Sequence, residues 1–269
     1  MHIFDQGIEP KKTREREDGI RVHTVRISDG FLVQGTPNGG YLMGLLARQL
    51  LSQSDKTSTP IITVNFLTKA KPTESAEIVT RVISRSKQFN RYEARLLQEG
   101  KEILWSTGTF VANDLECSLD KYEERAIDVA PRSECLEIPN MSNFSIYDNM
   151  KVLLEPKSLA WVNGELGDKS EIKGWISFRE KREFDLCGVL LASDTFPPPI
   201  FVTEGPIAWV PTVEMSVNIR NLPVSEWLKC RFRTRHITCG LLEEDGELWD
   251  EAGNLVAISR QIAQFRKSS

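Results

Sequence analysis

Residues 36–51 read TPNGGYLMGLLARQLL, a polar turn with two glycines followed by a stretch that is apolar on nearly every side. Its polar side chains after the turn are Arg48 and Gln49. A surface helix keeps one polar face, so a helix that is apolar almost all round is expected to be surrounded by protein. Residues 186–192, LCGVLLA, predict a second helix of the same kind. Two wrapped helices therefore decide the fold class.

The two helices belong to an internal repeat, a feature that determines the architecture wherever it occurs. PIITVNFLTKAKP at 60–72 resembles PTVEMSVNIRNLP at 211–223, and in this match Thr63 corresponds to Ser216. Each of these blocks follows one of the apolar helices and precedes further strand-like segments. The two halves of the chain therefore repeat the same order of elements.

Each half is predicted to be a helix followed by an antiparallel meander. In ITVNF, the side chains of Ile62, Val64 and Phe66 alternate with polar neighbours, as in a strand with one buried face. The further predicted strands are SAEIVTRVISRS, RYEARLL and EILWSTGTFVA in the first half, and VEMSVNIR, EWLKCRFRTRH, TCGLLEED and NLVAISRQIAQF in the second. Their short connections favour antiparallel pairing.

We expect an α+β fold of two units, each a central helix wrapped by a curved antiparallel sheet. The predicted boundaries are 1–115 for the N-terminal unit, 116–168 for a linker and 169–269 for the C-terminal unit. The charge run in the linker, ECSLDKYEERAIDVAPRSE, is interpreted as a solvated face.

Composition narrows the function classes. The chain has 269 residues, 40% of them hydrophobic, and a net charge of −4, which argues against a general nucleic-acid binder because phosphate neutralisation needs a basic surface. No run resembles a signal peptide or a membrane span, so a cytoplasmic location is expected. Without a CxxC pair, we expect reduced, mostly buried thiols, and neither a metal site nor a cofactor, at Cys117, Cys135, Cys187, Cys230 and Cys239.

The order and spacing of four motifs resemble the double hot-dog acyl-CoA thioesterases, typified by bacterial acyl-CoA thioesterase II. The motifs are NGGYLMGLLARQLL in the first half, and LLASDTFPPP, PTVEMSVNIR and GNLVAISRQ in the second, within a resemblance from about Gly30 to Arg266. It implies two fused hot-dog units, an acyl-CoA substrate, thioester hydrolysis and a place in fatty acid metabolism. Assembly into a homo-oligomer stays open, since a fused pair already completes the unit that single hot-dogs reach by dimerising.

The same resemblance implies a catalytic set of an aspartate, a threonine or serine, and a glutamine that position the attacking water. The matching positions hold Asp194, Thr212 and Gln261. The chemistry suits them, because thioester hydrolysis needs an activated water and donors for the oxyanion. An aspartate with an unperturbed pKa near ~3.9 is ionised at neutral pH, and hydroxyl and amide groups can fix the water or the carboxylate.

Each catalytic candidate has an ordinary alternative. Asp194 could be a turn residue, although an acid after a helix C-terminus faces the negative end of the macrodipole and the matching residue in the first half is Gln49. Thr212 shares strand parity with Glu214, a second acid, on a polar face, which favours a solvent-facing residue. Gln261 is in phase with buried positions, so its amide needs partners, catalytic or structural.

The turn before the first helix supplies the predicted substrate-binding residues. The amides of Gly39 and Gly40 at the helix N-terminus are candidates for the oxyanion donors, next to Asn38. The alternative is close helix packing by the glycines with Asn38 as N-cap. Because the first half lacks an acid at the position of Asp194, one active site per chain is expected.

Two other functions compete with hydrolysis. Hydration or dehydration of enoyl thioesters pairs an acid with a histidine, but His2, His23 and His236 do not occupy matching positions. A noncatalytic acyl-CoA or lipid-binding module would keep the groove without hydrolysis. The arginines of RFRTRH at 231–236 could meet CoA phosphates, although an outward strand face is the more common explanation.

Overall fold

The structure is a computed structural model that describes residues 1–116 and 119–267, with the side chain of residue 267 excluded. Cys117 lies outside this range. The helices are α1 (Ile3–Ile8), α2 (Gly39–Leu51), α3 (Ile146–Asn149), α4 (Pro156–Leu159), α5 (Leu186–Ala192) and α6 (Phe201–Glu204).

The strands of the N-terminal half are β1 (Lys12–Glu15), β2 (Arg21–Arg26), β3 (Leu32–Val33), β4 (Thr36–Pro37), β5 (Ser58–Phe66), β6 (Ser75–Arg85), β7 (Phe89–Gln98) and β8 (Lys101–Val111). Those that follow are β9 (Leu136–Glu137), β10 (Met150–Leu154), β11 (Glu171–Phe178), β12 (Ala208–Trp209), β13 (Thr212–Ile219), β14 (Leu228–Arg233), β15 (Ile237–Thr238), β16 (Leu241–Asp250), β17 (Leu255–Gln264) and β18 (Arg266–Lys267).

One large antiparallel sheet runs through both halves. Its order is β1-β2-β6-β7-β8-β5-β13-β17-β16-β14-β11-β10-β9. Outward from the centre, the N-terminal half follows β5, β8, β7, β6 and β2, and the C-terminal half follows β13, β17, β16, β14 and β11. The helix α2 lies between β2 and β5 in the chain, and α5 lies between β11 and β13. Both halves therefore use the same strand order and carry a helix at the corresponding place in the chain, of 13 residues in α2 and 7 in α5.

The halves join where the repeated motifs meet. β5 pairs with β13, and Thr63 lies opposite Ser216, the residue that corresponds to it in the sequence repeat. Their hydroxyl oxygens are 2.9 Å apart, across 153 residues of chain. A residue that pairs with its own repeat partner in an antiparallel ladder lies next to a local two-fold axis.

The predicted central helices are confirmed as buried elements. In α2 the buried residues include Tyr41, Leu45 and Leu50, and every residue of α5 is buried. The two helices also contact each other: a Cβ built on Gly40 would lie 2.6 Å from the carbonyl oxygen of Leu190. Only a glycine permits that backbone approach.

The segment predicted as a linker, 116–168, carries secondary structure. β10 pairs with β11 and extends the sheet of the C-terminal half, and β9 pairs with β10. The short helices α3 and α4 flank β10. The domain boundaries stay a prediction, and the position of β10 favours an earlier start for the second unit than residue 169.

The cysteines differ from one another in exposure. Cys187 and Cys230 are buried, Cys135 is half-buried and Cys239 is exposed. Burial raises the pKa of the Cys187 and Cys230 thiols, which lowers their reactivity. The four described cysteines are free thiols. Cys239 is therefore the described thiol that a reagent in solution reaches first.

Candidate active site

Asp194 lies just beyond the end of α5 and points at the beginning of α2. Its carboxylate Oδ2 accepts a hydrogen bond of 2.9 Å from the Gly40 amide and another of 2.9 Å from Asn38 Nδ2. Asn38 Nδ2 also donates to the Asp194 carbonyl oxygen, at 2.7 Å. The structure thus brings the predicted acid of one half against the predicted substrate-binding turn of the other.

Asn38 makes two different contacts with the two ends of its amide. Its Oδ1 accepts from the Tyr41 amide at 2.9 Å, which confirms Asn38 as the N-cap of α2. Its Nδ2 is then directed at Asp194. The acid follows the C-terminus of its own helix, an unfavourable position, but its charge faces the positive N-terminal end of the other helix.

The glycines at the start of α2 have no room for side chains. A Cβ on Gly39 would lie 2.8 Å from Asp194 Oδ2 and 3.0 Å from Phe66 Cζ. A Cβ on Gly40 would lie 2.9 Å from Asp194 Cβ, as well as against the α5 backbone. The structure therefore shows close packing by the glycines with Asn38 as N-cap, while the Gly40 amide donates to Asp194; a role of these amides as oxyanion donors stays a prediction.

The acidity of Asp194 differs from the sequence-based expectation. Burial raises the pKa of its carboxyl to about 6, while the hydrogen bonds from Gly40, Gly39 and Asn38 act in the opposite direction. The unperturbed value near ~3.9 was therefore the wrong guide. A carboxylate with a pKa near 6 remains mostly ionised at neutral pH and is a stronger base than an exposed one.

Thr212 and Gln261 meet each other on neighbouring strands. The Thr212 hydroxyl donates to Gln261 Oε1 at 2.5 Å. Gln261 is 8% exposed, in agreement with its predicted phase. The expected parity of Thr212 with Glu214 is wrong, because the pairing of β13 with β17 shifts between these residues: Thr212 lies opposite Ala263, and Glu214 opposite Ile262. This bulge turns Thr212 inward.

Glu244 is a member of this cluster that was not identified from the sequence. It lies on β16 opposite Gln261 and is 5% exposed, and the Gln261 side chain acts to lower its pKa. Burial and the negative charge of Asp194 raise the pKa of Glu244 to about 8. The signal was available in the strand pattern, since Glu244 shares its phase with buried Leu242 and Leu248.

The structure forms two hydrogen-bonded groups rather than one continuous triad. Asp194 binds the α2 turn, and Thr212 binds Gln261. Within residues 1–116 and 119–267, no direct hydrogen bond joins Asp194 to Thr212 or to Gln261. Glu244 interacts with both groups: the Gln261 side chain lowers its pKa, and the negative charge of Asp194 raises it.

The corresponding place in the first half has a different use. Gln49, at the position that matches Asp194, is 1% exposed and donates to the carbonyl oxygens of Ile8 and Leu45. The second acid considered from the sequence, Glu214, is exposed. Its side chain lies away from the face that carries Gln261.

The histidines and the arginine-rich strand have partners of their own. His23 is buried on β2 and contacts Thr13 Oγ1 at 3.0 Å, while His236 is exposed in the turn after β14. The arginines of RFRTRH pair with acids of β16: Arg231 and Arg233 with Glu247, and Arg235 with Glu243 and Asp245. Their charge is therefore compensated within the sheet.

Residues 1–116 and 119–267 contain neither a metal-binding cluster of side chains nor a helix of membrane-spanning length. No group of three or more histidine, cysteine, aspartate or glutamate side chains there is arranged to hold a metal ion. No helix there is long and apolar enough to cross a membrane.

Comparison with known proteins places this arrangement among the thioesterases with a hot-dog fold. Residues 27–111 match the acyl-CoA thioesterase N-terminal domain family, and residues 128–265 match the acyl-CoA thioesterase C-terminal domain family. The chain belongs to this acyl-CoA thioesterase family. No curated protein matches the sequence significantly.

Solved structures agree on the fold. A predicted thioesterase II from Thermobifida fusca YX superposes with a TM-score of 0.87 at 27% identity, covering 99% of this chain and 98% of its own. A hot-dog protein of unknown function from Alicyclobacillus acidocaldarius superposes with a TM-score of 0.84 at 18% identity, covering 100% of both chains. The acyl-CoA thioesterase II TesB2 of Mycobacterium marinum superposes with a TM-score of 0.77 at 16% identity, covering 99% of both.

Proposed function

We propose that this protein hydrolyses acyl-CoA thioesters to a free acid and CoA, with Asp194 as general base and Thr212 and Gln261 as the groups that hold the attacking water. The observation that carries the proposal is the pairing of Asp194 with the N-terminus of α2. It gives a carboxylate that titrates near pH 6, in a fixed orientation, beside backbone amides. General-base hydrolysis needs such a group.

The observed hydrogen bonds support one donor and one acceptor for each proposed contact with the attacking water. Because the Thr212 hydroxyl donates its proton to Gln261 Oε1, its oxygen is left to accept a proton from the water. Oδ2 of Asp194 already accepts two hydrogen bonds, so we assign proton transfer to Oδ1. The water then donates one proton to Thr212 and the other to Asp194, with its lone pair toward the thioester carbon.

In the proposed reaction, Asp194 alone carries the proton from the attacking water to the leaving CoA thiolate. As the water oxygen bonds to the carbonyl carbon, its proton passes to Asp194 and the carbonyl oxygen becomes an oxyanion. Collapse of this intermediate breaks the carbon–sulfur bond, and the CoA thiolate takes the proton from Asp194. No covalent enzyme intermediate is needed.

Asn38, Gly39 and Gly40 form the substrate side of the proposed site. In the resting structure Gly40 and Asn38 donate to Asp194. Once Asp194 is protonated, its neutral carboxyl accepts these hydrogen bonds more weakly. The same step forms the oxyanion, which can then accept them instead. Donors aimed where charge develops stabilise the transition state more than the ground state.

The broader organisation is part of the same proposal. We infer two fused hot-dog units, supported by the repeated strand order and by the contact of Thr63 with Ser216 at the join. The single acid at Asp194 gives one active site per chain. A cytoplasmic location and a role in fatty acid metabolism remain expectations from the sequence.

The test is hydrolysis of a panel of acyl-CoAs of increasing chain length. Release of the CoA thiol is followed with a thiol reagent after pre-reaction of the protein, because Cys239 is exposed and contributes background. A no-substrate control corrects for slower thiols. Hydrolysis of at least one chain length supports the proposal; acyl-CoA binding without hydrolysis at any length would replace it with the noncatalytic module.

A further inference from the structure

A row of polar side chains lies on the inner face of the C-terminal sheet. Gln261 on β17 lies opposite Glu244 on β16, and both are buried. On the next strand, β14, the register pairs Arg233 with Asp245, which brings the following residue, Thr234, alongside Glu244. The row therefore runs from Thr234 through Glu244 to Gln261 and ends at Thr212.

The hydrogen bonds of Gln261 show why Glu244 matters. The Gln261 carbonyl oxygen accepts from Thr212, so its amide nitrogen faces the other way. Glu244 lies opposite Gln261 on the neighbouring strand, and the Gln261 side chain acts to lower the pKa of Glu244, as a donor facing the carboxyl does. If the amide rotated by half a turn, its nitrogen would face the Thr212 hydroxyl and its oxygen would face Glu244. With the Thr212 hydroxyl donating to the amide oxygen, a Glu244 carboxyl that accepts from the nitrogen holds the amide in the first orientation.

We propose that Glu244 is a positioning residue of the hydrolytic site, which fixes the Gln261 amide so that its second proton and the Thr212 oxygen both face the attacking water. This inference rests on the proposed hydrolysis of acyl-CoA. Thr234 adds a second polar group to this buried face: its hydroxyl oxygen is buried and has no hydrogen-bond partner within the described residues. A buried hydroxyl without a partner is uncommon in a folded interior, and this one lies at the end of the same inner row of polar side chains.

The charge state of Glu244 gives the proposal a measurable consequence. The charged groups around it are Asp194, from the end of α5, and Asp245, on its own strand, and both raise its pKa after burial. The inward residues of the neighbouring strands, Gln261 and Thr234, are uncharged. With a pKa of about 8, Glu244 is neutral at pH 7 and ionises as the pH rises. A negative charge there opposes the developing oxyanion, so the rate is expected to fall.

The test compares Glu244→Leu with Glu244→Gln in steady-state kinetics on the best acyl-CoA of the panel. Glu244→Leu removes the partner of Gln261, and we expect kcat to fall by about 10- to 100-fold with KM within about threefold, as for a misplaced catalytic group. Glu244→Gln keeps an acceptor oxygen without a titrating proton. It should retain kcat within about threefold at pH 7 and lose the alkaline decline of the wild-type enzyme near pH 8.

The outcomes separate this inference from the proposed function. Glu243→Gln, on the outer face of the same strand, is the control and should keep the wild-type pH profile. Wild-type kcat in Glu244→Leu, or an unchanged alkaline decline in Glu244→Gln, would overturn the role of Glu244 while hydrolysis stands. If Glu244→Leu fails to fold, the Glu244→Gln profile alone decides. A wild-type enzyme without any hydrolysis would overturn the proposed function itself.

Discussion

Of the two glycines in the proposed site, Gly40 leaves less room for a side chain beside α5, and Gly40→Ala tests this close approach directly. The added Cβ would lie 2.6 Å from the Leu190 carbonyl oxygen, 2.9 Å from that of Leu191 and 2.9 Å from Asp194 Cβ. Two of these neighbours are backbone atoms of a buried helix and cannot rotate away. The helices must separate, and Asp194 must move with the end of α5.

The expected size of the effect follows from two opposing contributions. Overpacking of a close-packed interior costs about 1–3 kcal/mol, and contact with rigid backbone places this case at the upper end. Alanine recovers up to about 1 kcal/mol of helix propensity relative to glycine. We expect a net destabilisation of about 2 kcal/mol, or a decrease in Tm of roughly 4–8 °C for a chain of this size. A displacement of Asp194 by about 1 Å should cost about 100-fold in kcat/KM.

Thermal unfolding and acyl-CoA hydrolysis of the same samples measure both effects. Gly44→Ala is the matched control, one turn along α2: its Cβ would lie 3.1 Å from the Cys187 carbonyl oxygen and does not approach Asp194. It should lower Tm with little loss of kcat/KM. A Gly40→Ala variant with wild-type Tm and activity would refute the reasoning, and equal losses of activity in both variants would refute the specific link to Asp194.

Three further predictions use the same site. The logarithm of kcat/KM should fall below a midpoint near pH 6, because Asp194 accepts the proton only when ionised and its pKa is raised to about 6; a midpoint near pH 4 would show an exposed acid instead. Because that pKa lies above the unfolded value, the free energy of unfolding of the wild type decreases as the pH rises from about 4 to about 6. Asp194→Asn should therefore be more stable than the wild type at pH 8, by at most about 3 kcal/mol, and equally stable at pH 4. Unfolding curves at the two pH values measure this difference. Thr212→Val should lower kcat at least about 10-fold, whereas Thr212→Ser should retain most of it; equal rates would exclude the hydroxyl from the reaction.

The predictable part of the fold depends on local periodicity. The wholly apolar character of 39–52 and 186–192 could be recognised because burial on all sides removes the polar face of a helix. The meander strands were recognised from their period of two. β10 was missed, because it lies in a segment whose charged neighbours resemble a linker. Its pairing with β11 depends on tertiary contacts that no local pattern reports.

The site shows where strand parity succeeds and where it fails. The period of two along the strands predicts an inward Gln261, as found, and an outward Thr212. The second prediction fails because a β-bulge, which has no clear sequence signal, adds one residue between Thr212 and Glu214. The same counting would have placed Glu244 inside. An acid in a buried phase is energetically unfavourable and therefore informative.

The environment of Asp194 could not be predicted from local sequence. From the sequence, the acid follows a helix C-terminus and the electrostatics are unfavourable. In the structure, the N-terminus of α2 supplies the Gly40 amide and the Asn38 side chain from more than 150 residues away. The favourable partner belongs to the other half of the repeat, so only the assembled pair of halves explains the placement.

The central claim, that Asp194 is the general base, is tested most directly by the kcat of Asp194→Asn beside Glu214→Gln. Both variants remove one acid from adjacent elements of the C-terminal half, and Glu214 is exposed on the other face of β13. We predict that Asp194→Asn lowers kcat by about 10²- to 10⁴-fold, the usual contribution of a general base, while Glu214→Gln stays at the wild-type rate. An Asp194→Asn enzyme that turns over acyl-CoA at the wild-type kcat would contradict the account.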